Sequence, residues 1–155
     1  MVDDDPAVVQ VVTSVLSVSG FLVDSALDGR QAIPRMEEFN PDAVLLDLMM
    51  PGRDGFELCR LMRVNPRFSN TSVVMVTGLQ DLDARQRGLE CGATDFILKP
   101  WKPEDLVIRV RNAVALKRSA DDLESAYEVV DRLRDRVTHL EREMEDQGAK
   151  VELPS

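Results

Sequence analysis

Several things are scarce in this sequence. Its 155 residues include two cysteines, one histidine and one tryptophan, and aromatic residues make up 5%. Cys59 and Cys91 lie far apart, and neither has a Cys or His neighbour at metal-binding spacing. Each reads as a small hydrophobic residue, and two cysteines without a framework fit a reducing compartment. No apolar stretch is long enough to span a membrane, and no signal peptide is visible. The expectation is a cytoplasmic protein with no membrane partner. Basic charge is short too: 28 acids face 19 lysines and arginines, a net charge of −9. A nucleic-acid interface needs a basic surface, so no direct nucleic-acid contact is expected. His139 stands in a charged helical stretch with no evident partner, which argues against a catalytic role.

The chain is organised around Ala43-Val44-Leu45-Leu46-Asp47. A continuous apolar run reads as a strand buried on both faces of a parallel sheet. Val73 to Gly78 and Asp95 to Pro100 read as two more strands, and Phe21 to Ser25 as a short one. Helices are expected over Pro6 to Ser19, Asp28 to Phe39, Gly55 to Val64, Asp81 to Glu90, and from Pro103 onward. Pro6 and Pro103 suit first helical positions, Asp28 suits an N-cap, and Pro34 should weaken the second helix. Strands alternating with helices require a parallel sheet covered on both faces, joined by right-handed crossovers.

Three of these strands end in residues with chemistry to offer: Asp47, Thr77 and Lys99. In parallel sheets, ligands bind at the carboxyl ends of strands. Alone, Asp47 reads equally well as a strand-ending acid. Placed beside Asp3 and Asp4 it becomes part of a carboxylate cluster. Close carboxylates repel and raise one another's pKa unless a cation joins them. Hard oxygen ligands suit Mg²⁺, which keeps water and leaves room for phosphate. Lys99 and Thr77 add a fixed positive charge and a hydroxyl. The set suits a phosphoryl group.

The acidic pair Asp3-Asp4, the stretch from Asp47 through Met49-Met50-Pro51-Gly52-Arg53-Asp54-Gly55, the pair Thr77-Gly78, and Phe96-Ile97-Leu98-Lys99-Pro100 together resemble a response-regulator receiver domain of two-component signalling. The spacing matches as well, with 30 residues from Asp47 to Thr77 and 22 from Thr77 to Lys99. The resemblance covers about residues 1–118. It implies a flavodoxin-like, doubly wound, five-stranded parallel sheet of order 2-1-3-4-5. It also implies that Asp47 accepts a phosphoryl group from a sensor histidine kinase or phosphotransfer protein. Asp4 would bind Mg²⁺ directly, with Asp3 beside it, Asp47 as a further ligand, and the Met49 carbonyl as another. Thr77 and Lys99 would hold phosphoryl oxygens, Phe96 would be an aromatic switch, and the Lys99-Pro100 bond would be cis. Taken alone, Phe96 alternates with Leu98 and reads as core; Asp54 reads as a turn residue and Trp101 as a partly exposed loop aromatic. The family normally carries four or five apolar residues ahead of its acidic pair, whereas Met1 and Val2 stand there here. Either the start is truncated or this receiver is unusual, and a short central strand should cost packing. The positions two residues past Asp47 and Thr77 are Met49 and Leu79, both apolar, so phosphate loss should be slow.

From Pro103 no proline or glycine intervenes before Gly148. Leu116, Leu123, Val130, Val137 and Met144 recur every seven residues, with Ala126, Leu133 and Leu140 at the complementary position. This a/d seam predicts a coiled coil, and valine at a with leucine at d favours a parallel homodimer. Ser119 to Gln147 carries ten acids and four bases, so most of the excess negative charge lies there. The expected organisation is a receiver domain over 1–118, a coiled-coil helix continuous with it over 119–147, and a tail over 148–155. The leading expectation is a phospho-accepting signalling domain rather than an enzyme. Two other readings use the same residues: an Mg²⁺-dependent aspartyl-phosphate phosphatase and a structural dimerisation module with an inactive site. The phosphatase pattern wants a second Asp where Met49 stands, and an intact Asp47, Thr77 and Lys99 set counts against a dead site.

Overall fold

The computed structural model describes residues 1–51, 54–78 and 82–148, without the Leu82 side chain. Gly52, Arg53, Leu79 and the tail beyond Gly148 lie outside the described residues, as does the expected helix start at Asp81. The chain divides into two units, Met1–Arg118 and Ser119–Ser155.

In the first unit, β1 (Ala43–Asp47), β2 (Ser72–Thr77) and β3 (Asp95–Leu98) form a parallel sheet in the order β1-β2-β3. Helices α1 (Pro6–Val18), α2 (Gly29–Phe39), α3 (Gly55–Val64) and α4 (Leu82–Glu90) separate the strands, and α5 (Pro103–Gly148) follows. Side chains alternate across a strand, so the sheet builds two cores. Val44, Leu46, Val73, Met75 and Phe96 pack with Ala32 and Met36 of α2, Leu58, Cys59 and Met62 of α3, and Ala84 of α4. Leu45, Val74, Val76 and Ile97 pack with Val12 and Leu16 of α1 and with Leu106, Val110 and Ala113 of α5. Both faces are apolar, which is why the strands read as unbroken apolar runs.

The expected five strands are three. Met1–Asp3 and Phe21–Ser25 do not form strands; Val2 makes single parallel bridges to Ala26 on one side and Leu46 on the other. The spatial order 2-1-3-4-5 survives, with its first two positions reduced to one bridge each. The cause is length. A strand is held by a ladder to its neighbour, and two residues ahead of Asp3 offer Phe21–Ser25 almost nothing to pair with.

Local chemistry sets the helix ends. Asp5, Asp28 and Asp54 are N-caps of α1, α2 and α3, accepting from the N–H groups of Ala7, Arg30 and Phe56. Asp54, read from the sequence as a turn residue, is thus a helix cap. Pro34 is accommodated inside α2. Arg63 of α3 was not singled out by the sequence, yet its guanidinium donates to the carbonyls of Gly92, Phe68, Ser69 and Thr71. It ties the loop before β2 to the turn before β3.

In the second unit the seam positions Leu123, Val130, Leu133, Val137, Leu140 and Met144 are 48–72% exposed. His139 is not without a partner: its Nε2 lies 3.4 Å from Glu143, one helical turn on. Among the described residues, no helix is long and apolar enough to cross a membrane.

Candidate functional site

Asp47 is the last residue of β1, Thr77 the last of β2, and Lys99 the first beyond β3. Parallel strands therefore deliver all three to one edge. The Lys99 N–H donates to the Thr77 carbonyl at 2.8 Å, which carries the sheet pairing up to the site. The Val2 bridge places the acidic pair. Asp47 N–H donates to the Val2 carbonyl at 2.9 Å, and Asp3 N–H to the Ala26 carbonyl at 3.2 Å. Asp3 Oδ1 accepts from Asp5 N–H at 2.9 Å, so the residue that caps α1 also fixes the Asp3 side chain.

Carboxylate oxygens of Asp3, Asp4 and Asp47 lie within 4.8 Å of one another. Asp3 and Asp47 are buried, at 1% and 5% exposure, and Asp4 is exposed. Lys99 Nζ lies 3.1 Å from Asp3 Oδ2 and 3.3 Å from Asp47 Oδ1. Burial pushes the Asp47 carboxyl above its ordinary value; the Lys99 charge pulls it back, and Asp3 and Asp4 push it up again. Burial pulls the Lys99 ammonium down, but its hydrogen bond to Asp3 and the charge of Asp47 outweigh this and hold it above its ordinary value. Three acids thus face one lysine. The negative surplus, the hard oxygen donors and the opening at Asp4 fit a divalent cation such as Mg²⁺.

Thr77 is buried. Met49 side chain is 66% exposed, in the loop that leaves β1. Phe96 is buried on β3, with the Arg85 guanidinium 5.8 Å from its ring centre. The ring lies on Gly88 of α4, where an added Cβ would come within 2.7 Å of Phe96 Cε1. The Lys99-Pro100 bond is cis. The structure therefore gathers Asp3, Asp4, Asp47 and Lys99 by direct contact or proximity and holds Thr77 at the same edge.

Two glycines pack beside the site: Gly55, which the sequence marks as a place of close backbone approach, and Gly88, which it did not single out. At Gly55 a Cβ would sit 2.5 Å from the Asp47 carbonyl oxygen and 3.0 Å from Leu48 Cα. That glycine lets α3 begin against the end of β1. Gly88 gives the Phe96 ring its seat. A glycine within a helix costs stability in solution, and that cost was the available signal for a close approach at Gly88.

An α/β sheet covered on both faces, with an acid cluster and a lysine at its carboxyl edge, defines the class of this domain. Residues 1–111 match the response regulator receiver domain family, and the chain belongs to that family. It is 43% identical over 122 residues to the DNA-binding response regulator MtrA of Mycolicibacterium smegmatis, covering 79% of this chain and 51% of that protein. It is 35% identical over 126 residues to the DNA-binding dual master transcriptional regulator RpaA of Synechocystis, covering 81% and 51%. The chain spans about half the length of these curated relatives. Among solved structures, chemotaxis protein CheY4 of Vibrio cholerae is 30% identical with a TM-score of 0.70, covering 72% of this chain and 93% of that one. The BeF3-activated receiver domain of RstA from Klebsiella pneumoniae is 34% identical with a TM-score of 0.68, covering 73% and 94%.

These relatives overturn one expectation. Acidic net charge was taken to exclude direct nucleic-acid contact, yet chains closely similar over this region are named DNA-binding regulators. Net charge summed over these residues constrains the surface they present. It does not constrain what a protein containing a receiver domain does through other surfaces.

Proposed function

We propose that the domain is a phosphorylation switch in which Asp47 accepts a phosphoryl group from the phosphohistidine of a sensor histidine kinase or phosphotransfer protein. An Asp47 carboxylate oxygen attacks phosphorus, the bond from phosphorus to the imidazole nitrogen breaks, and the imidazole takes up a proton. The observation that carries this reading is the buried Asp47 carboxylate held 3.3 Å from Lys99 within the Asp3–Asp4–Asp47 cluster. Lys99 orients the carboxylate and meets the charge of the incoming oxygens. Asp3, Asp4, Asp47 and the Met49 carbonyl would hold Mg²⁺, which when bound neutralises charge on the phosphoryl oxygens. Thr77 supplies a hydroxyl at the same edge, and Phe96 reports its movement by shifting against Gly88. This is a signalling domain rather than a metabolic enzyme. An apolar Met49 two residues past Asp47 does not position water, so acyl phosphate is lost slowly.

The output runs through α5. The exposed a/d seam supports a parallel homodimer, with Arg136 at g meeting Glu141 at e of the partner helix. Phosphorylation shifts the population between two packings of that dimer. The MtrA and RpaA relatives support control of transcription as the response being governed.

Intact mass after incubation with Mg²⁺ and a small acyl phosphate donor tests the chemistry. One added phosphoryl group is expected, and none in Asp47→Ala. An unchanged parent mass would sink the proposal. Met49→Asn should shorten the acyl-phosphate lifetime several-fold. Leu133→Cys should crosslink across the dimer; its failure to do so at any concentration would remove the coiled coil.

A further inference from the structure

The two cysteines stand 32 positions apart in the chain and meet in the fold. Cys59 lies on α3, and Cys91 is the first residue beyond α4. Both are free thiols, and both are buried, at 0% and 5% exposure. The Cys59 thiol donates to the Cys91 carbonyl at 3.2 Å. Arg60 Nη1 donates to the Cys91 sulfur, also at 3.2 Å. The turn that carries Cys91 is held against α3 from both sides. Arg63, one helical turn past Cys59, donates to the Gly92 carbonyl from Nε at 3.0 Å and from Nη2 at 2.7 Å. The Cys91 N–H donates to the Arg87 carbonyl at 3.0 Å and closes the last turn of α4. Backbone contacts thus fix the two residues side by side. Rotation about their Cα–Cβ bonds is the freedom that remains, and it is the motion that joins two sulfurs whose backbones are already close.

The two sulfurs have different surroundings. Burial pushes the Cys59 thiol up to about 11, against the opposing charges of Arg63 and Arg60. It therefore stays protonated at neutral pH. The Cys91 sulfur has the Arg60 guanidinium directly against it, and Arg60 itself is exposed. Peroxides are attacked by thiolate sulfur, and a neighbouring cation assists that attack. Cys91 is the sulfur placed to react first, one side chain below the surface. Cys59 is the sulfur placed to resolve the product.

We propose that Cys91 and Cys59 form a redox switch, in which a hydroperoxide oxidises Cys91 and a reversible disulfide then closes between the two. The Cys91 sulfur attacks the terminal peroxide oxygen, the O–O bond breaks, and the leaving alkoxide or hydroxide takes up a proton. The Cys59 sulfur attacks the resulting sulfenic acid at sulfur and gives up its proton, the S–O bond breaks, and water leaves. Two thiols are oxidised to one disulfide, and one hydroperoxide is reduced to an alcohol, or to water, with a second water released. A small thiol reverses the bond by exchange. The disulfide ties α3, which begins against Asp47, to the end of α4, which seats Phe96 at Gly88. It does not depend on phosphoryl chemistry.

The test uses the full chain, folded and reduced, with hydrogen peroxide at neutral pH. Intact mass should fall by two hydrogen atoms and return on adding dithiothreitol, and proteolysis should yield one linked pair of peptides, Cys59 to Cys91. In Cys59→Ala the sulfenic acid should persist at Cys91, where dimedone traps it; in Cys91→Ala the Cys59 thiol should stay reduced. Arg60→Gln removes the charge at an exposed position and should slow the loss of thiol at least about fivefold. Arg60→Lys keeps the charge and should stay closer to the parent. Four outcomes would overturn the proposal: no loss of mass, a disulfide found only between two molecules, oxidation of Cys59 in Cys91→Ala at the parent rate, or parent-like oxidation of Arg60→Gln.

Discussion

The two ends of one sheet are built on opposite terms. At the carboxyl end, charged groups converge and each is held: Asp3 by Asp5 N–H and Lys99, Asp47 by Lys99, and Lys99 by the backbone of Thr77. Among the described residues no buried side-chain nitrogen or oxygen lacks a partner. At the amino end, mixed apolar and charged walls surround open space, and the Met1 amine is buried against the Asp24 carbonyl. The difference shows where stability is spent and where it is left unclaimed. The functional end tolerates no slack, because its chemistry needs fixed positions. The amino end carries a cavity and a desolvated amine, both of which weaken the fold.

The largest effect should come from breaking the tight end. Gly55→Ala puts a methyl against the Asp47 carbonyl oxygen and Leu48 Cα. Backbone cannot yield as a flexible side chain does, so unfolding free energy should fall by about 3 kcal/mol. Chemical denaturation measures this, and parent-like stability would show that α3 can slide away from β1.

Filling the loose end should have the next largest effect, in the other direction. A variant with four apolar residues added ahead of Met1 extends the Val2 bridges into ladders and neutralises the amine. Its melting temperature should rise by about 5–10 °C. No rise would mean that two residues suffice in that position.

The buried amine gives a pH signature. Desolvation lowers the Met1 amine from 8.0 to about 6. The unfolded chain therefore binds a proton between pH 8 and pH 6 that the folded chain refuses. Stability should be fullest above pH 8, fall by about 2 kcal/mol as pH drops to 6, and level off below. Acetylating the amino terminus should flatten the profile in that window, and a slope that persisted would assign it to another group. The single histidine, His139, is well exposed and far along α5.

The smallest effect separates function from stability within the site itself. The Asp47 carboxyl is held above its ordinary value, chiefly by burial, so folding favours its neutral form. The cost of its charge appears as pH rises through that raised value. Asp47→Asn keeps the shape without the charge and should raise stability at neutral pH by about 1 kcal/mol while abolishing phosphorylation. A less stable variant would mean that the bond to Lys99 outweighs the burial cost.

Much of this molecule was legible in one dimension. Apolar runs ending in Asp47, Thr77 and Lys99 marked the parallel strands and their shared edge, because strands buried on both faces have no polar alternation. The cap at Asp28 marked a helix start, because its chemistry is local; Asp54, read as a turn residue, proved to be a cap as well. The seven-residue spacing from Leu116 to Met144 marked a continuous helix. Phe21–Ser25 was misread as a strand because strand formation depends on a distant partner. Acidic charge was misread as excluding nucleic acid, because charge counts surface rather than reach.

By itself the sequence determined which residues stand at the carboxyl edge of the sheet and the order in which elements follow. Both depend on residue type and on neighbours a few positions away. Tertiary structure alone decided that Lys99 bridges Asp3 and Asp47, that Gly88 seats the Phe96 ring, and that Arg63 ties two loops. Each of these arises from surfaces brought together across the chain, whose fit is set by packing and desolvation rather than by any local pattern.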